Sequence, residues 1–302
     1  MSGPVEVLLS TYNGEKYLAE QLESVWRQTY PEVWLSVRDD GSSDATMGVL
    51  DRLLAGRPRT KVVMGAHLGA AQSFMSLLRS VSPETAYVAF CDQDDVWLPD
   101  KLEAAVSGIE HFEGPAMYCS AVTLVTEDLA EVRVHRRCVR GPSFENALVE
   151  NIATGCTIVL NRPAVDLLAS QQPKKLVMHD AWCYLVVAGC GEVVYDRLPH
   201  ALYRLHRANT VGVGTTLWAE WSGRAKRQLE QGQQRVLTAQ AEELSELYGA
   251  LLKKEAQRSL GRFLDSQREL RSRLVYALVG NVHKQRVLDE LLYRILYASK
   301  LI

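Results

Sequence analysis

The chain has 302 residues, of which 47% are hydrophobic and 23% are charged, a balance typical of a soluble globular protein. Its length suits one large domain or two modest ones, and a net charge of −2 gives no indication of nucleic-acid binding. No apolar stretch approaches the roughly 18 residues of a membrane-spanning helix, and nothing near the start resembles a signal peptide.

Charge is spread unevenly along the chain. Residues 218–302 carry 15 Lys and Arg against 10 Asp and Glu, a net +5, whereas the rest carry 19 against 26, a net −7. A basic tail on an acidic body predicts an anionic surface as the partner of the tail. The six cysteines show no C-x-x-C spacing and several lie in apolar runs, which predicts reduced core cysteines in a cytoplasmic protein.

The first half of the chain alternates between strand-like and helical patterns. Short apolar runs predict strands near residues 5–10, 33–37, 61–65 and 87–91. A helical spacing of apolar residues follows each run, within residues 17–29, 42–56, 70–81 and 99–112. Buried strands that alternate with helices predict an α/β fold whose parallel sheet is covered on both faces.

The middle of the chain shows a less regular pattern, and the amino-acid composition changes near Gly214. Strands are predicted at residues 116–125, 154–161 and 193–206, and helices at 143–151, 163–170 and 179–191. Beyond Gly214 the sequence is rich in Leu, Glu, Gln, Arg and Ala and almost free of proline. We therefore predict an α/β domain with a mixed central sheet over residues 1–214 and a helical region over 215–302.

Polar segments follow the four predicted strands of the first half. They run from Ser10 to Asn13, from Asp39 to Ser42, from Gly65 to Gly69 and from Asp92 to Asp95. Ligands of parallel sheets bind beyond the carboxyl ends of the strands, so these segments should converge on one site. Neither a G-x-G-x-x-G nor a P-loop motif is present, which argues against a nicotinamide-binding Rossmann domain and excludes a P-loop enzyme.

The motif DQDD begins where a buried strand is predicted to end. Mg²⁺ and Mn²⁺ take one or two carboxylates and complete their shell with phosphate oxygens and water. Asp92 and Asp94 therefore suit a divalent cation that bridges to a diphosphate. The alternative is a solvated turn that caps the next helix, and a similar turn is the alternative for RDDGSSD.

Four segments together carry a family resemblance: LLSTYNGEKYLAEQLESVWRQTY, VRDDGSSDAT, HLGAAQSF and FCDQDDVWLPDKL. In this order and spacing they resemble glycosyltransferase family 2, the inverting enzymes of the GT-A fold, over residues 5–213. HDAW at 179–182 and YRLHRANTVG at 203–212 resemble its bacterial rhamnosyltransferase branch. The resemblance implies a nucleotide-sugar-binding half at 1–115 and an acceptor-binding half at 116–214.

The resemblance implies which residues contact the nucleotide. The matching positions are Ser10, Tyr12, Asp39, Asp40 and Gly69. Tyr12 is expected to stack on the base, and Asp40 to accept a hydrogen bond from the pyrimidine N–H. This chain departs from the family pattern at His67, where Asn usually precedes the leucine.

The resemblance also implies the metal and the base. Asp92 and Asp94 match the D-x-D motif, and His206 matches a histidine that completes the metal shell or touches the diphosphate. Arg204 lies beside His206 in a basic cluster suited to a pyrophosphate. Asp180 matches the residue that takes the proton from the acceptor hydroxyl, and the alternative is an N-cap for the following helix.

The expected activity is metal-dependent, inverting sugar transfer with Mg²⁺ or Mn²⁺. The donor implied is dTDP-L-rhamnose, and the acceptor a lipid-linked or oligosaccharide precursor of a bacterial surface polysaccharide or lipopolysaccharide. A UDP-hexose donor and an inactive nucleotide-binding scaffold are the alternatives. The basic tail either lies peripherally on the inner face of the plasma membrane or packs on the catalytic domain or on a second subunit of a homodimer.

Overall fold

The computed structural model describes residues 3–206 and 232–299, so the predicted boundary near residue 214 lies outside the described residues. The strands are β1 Val5–Thr11, β2 Val33–Asp39, β3 Thr60–Met64, β4 Tyr87–Cys91, β5 Val96–Trp97, β6 Ala116–Val125, β7 Glu131–His135, β8 Val159–Asn161 and β9 Glu192–Arg204. The helices before the gap are α1 Leu18–Trp26, α2 Thr46–Leu54, α3 Ala70–Arg79, α4 Lys101–Ile109, α5 Phe144–Ala147, α6 Arg162–Ala169 and α7 His179–Cys190. Those after it are α8 Gly232–Tyr248, α9 Lys254–Arg268, α10 Leu270–Val279 and α11 Val287–Ala298.

The strands form one mixed sheet, as predicted. Its order is β3-β2-β1-β4-β8-β6-β9-β5, and β7 pairs with β6. β1 to β4 are parallel to one another, β8 runs antiparallel to both β4 and β6, and β9 is parallel to β6. The carboxyl ends of β1, β2, β4, β6 and β9 therefore point to the same edge of the sheet.

The sheet is buried on both faces because its side chains alternate between two apolar cores. In β1, Val7 and Leu9 belong to the core that α1, α2 and α4 cover. Leu8 points the other way, into the core covered by α3, α6 and α7. The near-continuous apolar runs of the sequence follow from this two-sided burial.

The first two helices after the gap pack on the α/β unit. Leu244 and Tyr248 of α8 belong to the same apolar core as α7, and the Tyr248 ring lies 6.1 Å from that of Trp182. The backbone N–H of Lys253 donates to the carbonyl of Gly189, at 2.9 Å. Of the interpretations of the tail, packing on the α/β unit is therefore seen for α8 and α9. Trp182, fully buried in that contact, is a core residue. The helices α10 and α11 join the same apolar core through Tyr276 and Tyr297.

The structure corrects some details of the predicted elements. Residues 154–161 do not form one strand, because Gly155–Thr157 is a 3₁₀ turn and only Val159–Asn161 pairs in the sheet. The sequence did not indicate β5 or β7, which exist through pairing with distant strands. Trp97 of β5 is a core residue, only 2% exposed. Within residues 3–206 and 232–299, no helix is long and apolar enough to span a bilayer.

Candidate active site

A cleft of about 840 Å³ opens at the carboxyl edge of the sheet. Residues from all four polar strand-end segments contribute to it. The predicted site residues that line it are Ser10, Tyr12, Asp40, Asp92, Asp94, Asp180 and His206. The structure thus brings together residues that lie as much as 196 positions apart in the chain, counting from Ser10 to His206.

Asp40 lies at one end of the cleft, where β2 meets the loop before α3. Its oxygens accept hydrogen bonds from the backbone N–H groups of Leu68, at 2.9 Å, and Gly69, at 2.8 Å, and it pairs with Arg38. Burial opposes ionisation, but the Leu68 N–H and the Arg38 guanidinium lower the pKa of Asp40 below its usual value. A fixed carboxylate at this position suits recognition of an N–H group on a base. Gly69 contributes through its backbone, with a φ of +81° that favours glycine.

Asp39, its neighbour, does not face the cleft. It is completely buried and accepts hydrogen bonds from Thr11 Oγ1 at 2.9 Å and from the backbone N and Oγ of Ser42 at 2.9 and 2.6 Å. Its predicted contact with the nucleotide is therefore corrected to a structural role. Successive side chains of a strand point to opposite sides, so two adjacent carboxylates at a strand end serve different purposes.

Tyr12 and Ser10 line the same end of the cleft as Asp40. The Tyr12 side chain is 44% exposed, and its ring lies 4.3 Å from the ring of His67. The backbone of Tyr12 is fixed by Gln93, whose side chain accepts from its N–H at 2.8 Å and donates to its carbonyl at 3.0 Å. Ser10 Oγ is hydrogen-bonded to Ser73 Oγ at 2.6 Å.

The D-x-D carboxylates, Asp92 and Asp94, both line the cleft. His206 Nε2 lies 2.8 Å from Asp94 Oδ2, so the imidazole and the carboxylate are in direct contact. Burial raises the pKa of Asp92 well above its usual value, and the charges of Asp95, Asp94 and Asp180 raise it further. The cleft-lining Lys16 does not compensate them, because it is paired with Glu127. Two carboxylates and an imidazole in this setting fit a divalent cation such as Mg²⁺ or Mn²⁺.

A second group of metal-binding atoms lies beneath the cleft. Atoms of Asp92, Asp95 and Cys156 are all within 4.8 Å of one another. Burial raises the pKa of Asp95 to about 7 and that of the Cys156 thiol well above its usual value, so the thiol is protonated. Mg²⁺ and Mn²⁺ prefer oxygen ligands, so the protonated thiol of Cys156 does not suit them. Asp95 accepts from the backbone N–H of Arg204, at 3.1 Å, and stabilises the turn.

Arg204 occupies a different place from the one predicted. Its side chain is 1% exposed, and the guanidinium donates to the carbonyls of Asp94 and Glu127 and pairs with Glu20 of α1. It does not line the cleft, because these partners hold it under residues 92–95, the acidic loop. The predicted grip on a diphosphate is therefore replaced by support of the D-x-D backbone.

Asp180 lies in the first turn of α7, facing the acidic loop across the cleft. Its side chain is 9% exposed, and its Oδ1 accepts from the N–H of Ala181 at 2.7 Å. The helix begins after Met178, so Asp180 is not the N-cap, although a carboxylate in a first turn is favoured by the helix dipole. This leaves a carboxylate aimed into the cleft near Asp92, whose pKa it raises.

Several residues that line the cleft are not among the predicted site residues. Gln93 lines it within the DQDD motif, Gly155 lines it from the 3₁₀ turn, and His179 lies beside Asp180. His179 directly precedes Asp180 in the HD dipeptide, but the sequence interpretation assigned a role to Asp180 alone. A side chain on Gly155 would bring its first carbon to 3.1 Å from His179 Nε2, a tight contact that glycine avoids.

The mixed sheet and its carboxyl-edge cleft define a class of protein, the GT-A glycosyltransferases. The chain belongs to glycosyl transferase family 2, whose model matches residues 6–164. It is similar to the dTDP-rhamnosyl transferase RfbG of Shigella flexneri, with 25% identity over 224 residues that cover 70% of this chain and 76% of RfbG. A second relative is the UDP-Glc:alpha-D-GlcNAc-diphosphoundecaprenol beta-1,3-glucosyltransferase WfgD of Escherichia coli, with 29% identity over 160 residues, 52% of this chain and 60% of WfgD.

Solved structures show the same fold at low sequence identity. TarS residues 1–349 of S. aureus, in complex with UDP-GlcNAc, aligns with a TM-score of 0.58 at 15% identity, covering 98% of this chain and 91% of that one. The mannosyltransferase PcManGT from Pyrobaculum calidifontis, in complex with GDP-Man and Mn²⁺, aligns with a TM-score of 0.51 at 17% identity, covering 99% and 86%. The GT-A fold expected from the sequence is thereby confirmed.

Proposed function

We propose that the protein transfers L-rhamnose from dTDP-L-rhamnose to a hydroxyl of a precursor of a bacterial surface polysaccharide or lipopolysaccharide. The observation that carries this proposal is the placement of Asp92, Asp94 and Asp180 in one cleft that Asp40 also lines. The similarity to a dTDP-rhamnosyl transferase over 70% of the chain supports the choice of donor.

The residues that line the cleft have different roles in this reaction. Tyr12 and Asp40 bind the base, in the half formed by residues 1–115, and Asp180 comes from the half formed by 116–214. Asp92, Asp94 and His206 would hold Mg²⁺ or Mn²⁺, which when bound neutralises the diphosphate leaving group. Asp180 takes the proton of the acceptor hydroxyl, whose oxygen attacks the anomeric carbon opposite the diphosphate and inverts its configuration.

The test is a donor panel with product detection, on the wild type and on Asp180→Asn. Loss of a general base should lower turnover by about 10²- to 10⁴-fold while the affinity for dTDP stays within about twofold. Asp166→Asn, an exposed carboxylate of α6 that pairs with Arg162, is the matched control and should leave turnover unchanged. Retention of full activity by Asp180→Asn would show that Asp180 is not the base.

A UDP-hexose is the second candidate donor, because WfgD by its name uses UDP-Glc. The same panel separates the two, since the preferred donor gives product at the lowest concentration. An inactive scaffold, the third alternative, would bind dTDP but release no rhamnose from dTDP-L-rhamnose with or without an acceptor.

We also propose that α10 and α11 contact the anionic inner surface of the plasma membrane, where a lipid-linked acceptor would lie. Aliphatic side chains along both helices are 44–82% exposed: Leu270, Leu274, Val275, Leu278, Val279, Val287, Leu288, Leu291 and Ile295. Arg271 and Arg286 are exposed beside them. Apolar faces flanked by arginine suit the boundary between lipid headgroups and acyl chains.

Vesicle binding tests this membrane proposal. The protein should sediment with vesicles containing anionic phosphatidylglycerol and much less with neutral phosphatidylcholine vesicles. Leu278→Ser with Val279→Ser should abolish sedimentation, whereas Leu198→Ser, a 62% exposed residue of β9, should not. Concentration-dependent dimerisation lost in the same double variant, without vesicle binding, would indicate a homodimer interface instead.

A further inference from the structure

The cleft contains a histidine that the proposed chemistry does not use. His179, the first residue of α7, lines the cleft, yet its side chain is only 2% exposed. Its ring packs on Phe74, with centroids 4.1 Å apart, and meets the edge of Phe90 at 5.0 Å. Neither ring nitrogen has a hydrogen-bond partner among the residues that the structure describes. Such a group is costly unless a ligand completes its hydrogen bonds.

The surroundings of His179 fix both its charge and its orientation. Burial lowers the pKa of His179 to about 4, although the nearby Asp180 opposes the shift. The imidazole is therefore neutral near pH 7, with one N–H donor and one acceptor nitrogen. Because Phe74 and Phe90 hold the ring, it cannot rotate freely towards solvent to find water.

Gly155 shows where the unpaired nitrogens lie relative to the acidic loop. A carbon added to Gly155 would lie 3.1 Å from His179 Nε2 and 3.5 Å from Asp92 Oδ2. The two polar atoms therefore flank the same glycine. Asp92, Gly155 and His179 all line the cleft, and no side chain at residue 155 stands between the two polar atoms.

The ligand that reaches this part of the cleft follows from the proposed function, on which this inference rests. The diphosphate lies at Asp92 and Asp94 and the acceptor hydroxyl at Asp180, so the transferred sugar must lie between them. We propose that His179 hydrogen-bonds a hydroxyl of the transferred sugar and so helps to select the donor. Ala70, Phe74 and Met178 line the cleft as well and offer apolar surface to the C–H groups of the same sugar.

Binding of dTDP and dTDP-L-rhamnose to variants of the full chain tests this role. His179→Phe keeps an aromatic ring between Phe74 and Phe90 but removes both nitrogens. It should bind dTDP within about twofold of the wild type and dTDP-L-rhamnose about 10-fold or more weakly, because one hydrogen bond to the sugar is lost. His179→Gln should restore part of the loss. His111→Phe, the same change at an exposed site outside the cleft, should alter neither affinity.

Deoxygenated donors make the test specific. A deoxy analogue of dTDP-L-rhamnose that lacks the hydroxyl bound by His179 should bind the wild type more weakly than dTDP-L-rhamnose does. The same analogue and dTDP-L-rhamnose should bind His179→Phe equally well. Equal dTDP-L-rhamnose affinity in both proteins, or an equal loss of dTDP affinity in the variant, would overturn the proposal. A wild type that binds dTDP but neither binds nor transfers dTDP-L-rhamnose would instead refute the proposed donor.

Discussion

At the scale of single residues, the most unusual charge outside the cleft is Lys101. It is 1% exposed, its Nζ lies 3.6 Å from the centroid of the Trp97 ring, and it has no hydrogen-bond partner in the described part of the chain. Burial lowers the pKa of Lys101 to about 8. The folded state therefore holds this proton less tightly than the unfolded state, whose lysine has a pKa near 10.4.

Lys101→Met should stabilise the protein at pH 7 by about 1–3 kcal/mol, because an apolar side chain has no charge to desolvate. Below pH 8 the wild type carries the full penalty, and between pH 8 and about 10.4 the unfolded state binds more protons, so the penalty fades. The advantage of the variant in urea unfolding should thus shrink as the pH rises through this range. The exposed Lys61→Met is the control, and a destabilised Lys101→Met would contradict the argument.

Arg204 allows a second prediction at this scale. Arg204→Met should lower the free energy of unfolding by about 1–3 kcal/mol, because the hydrogen bonds of the buried guanidinium to the carbonyls of Asp94 and Glu127 are lost. It should also weaken metal-dependent binding of dTDP, since the Asp94 backbone loses its support. Arg27→Met, which removes an exposed ion pair with Glu23 on the same helix, should cost less than about 1 kcal/mol. Similar losses in the two variants, measured by urea unfolding, would show that the buried network adds nothing.

At the scale of elements, two glycines show how packing decides the effect of one methyl group. Gly191 ends α7, and a carbon added there would lie 1.9 Å from the carbonyl oxygen of Pro115, which the backbone of Glu192 also contacts. Gly48 lies inside α2 with nothing within 4 Å of an added carbon.

Gly191→Ala should destabilise the protein by several kcal/mol, because the link between α7 and β9 must move. Gly48→Ala should instead stabilise the protein by about 0.5–1 kcal/mol, since alanine has a higher helix propensity than glycine at an exposed helix position. Thermal unfolding of both variants checks the opposite signs. A small effect of both substitutions would mean that the approach of Gly191 to Pro115 is not tight.

At the scale of the whole molecule, the sequence predicted what local periodicity controls. The alternation of strands and helices and the strand-end placement of Asp40, Asp92 and Asp94 follow from short patterns. The partners of Asp39 and Arg204 could not be read in this way, because Glu20 and Arg204 are 184 residues apart. The unpaired state of His179 depends on Phe74 and Phe90, which come from two other elements.

The two regions expected from the sequence should unfold together. Tyr248 and Leu244 of α8 share one core with Trp182 of α7, so neither region buries its apolar surface alone. Circular dichroism and tryptophan fluorescence should report coincident transitions. Tyr248→Ala should shift both by the same amount, with a loss of about 3–5 kcal/mol. Two separated transitions would show that residues 232–299 form an independent domain.

The late position of β9 in the chain has a consequence for synthesis on the ribosome. β9 inserts between β6 and β5, and the residues that follow it bring His206 to Asp94 while Arg204 pairs with Glu20. A nascent chain that has folded only its first half therefore holds an acidic loop without its basic partners. The candidate site can be completed only after residue 206 has left the exit tunnel, so its assembly must follow the synthesis of all nine strands that the structure describes.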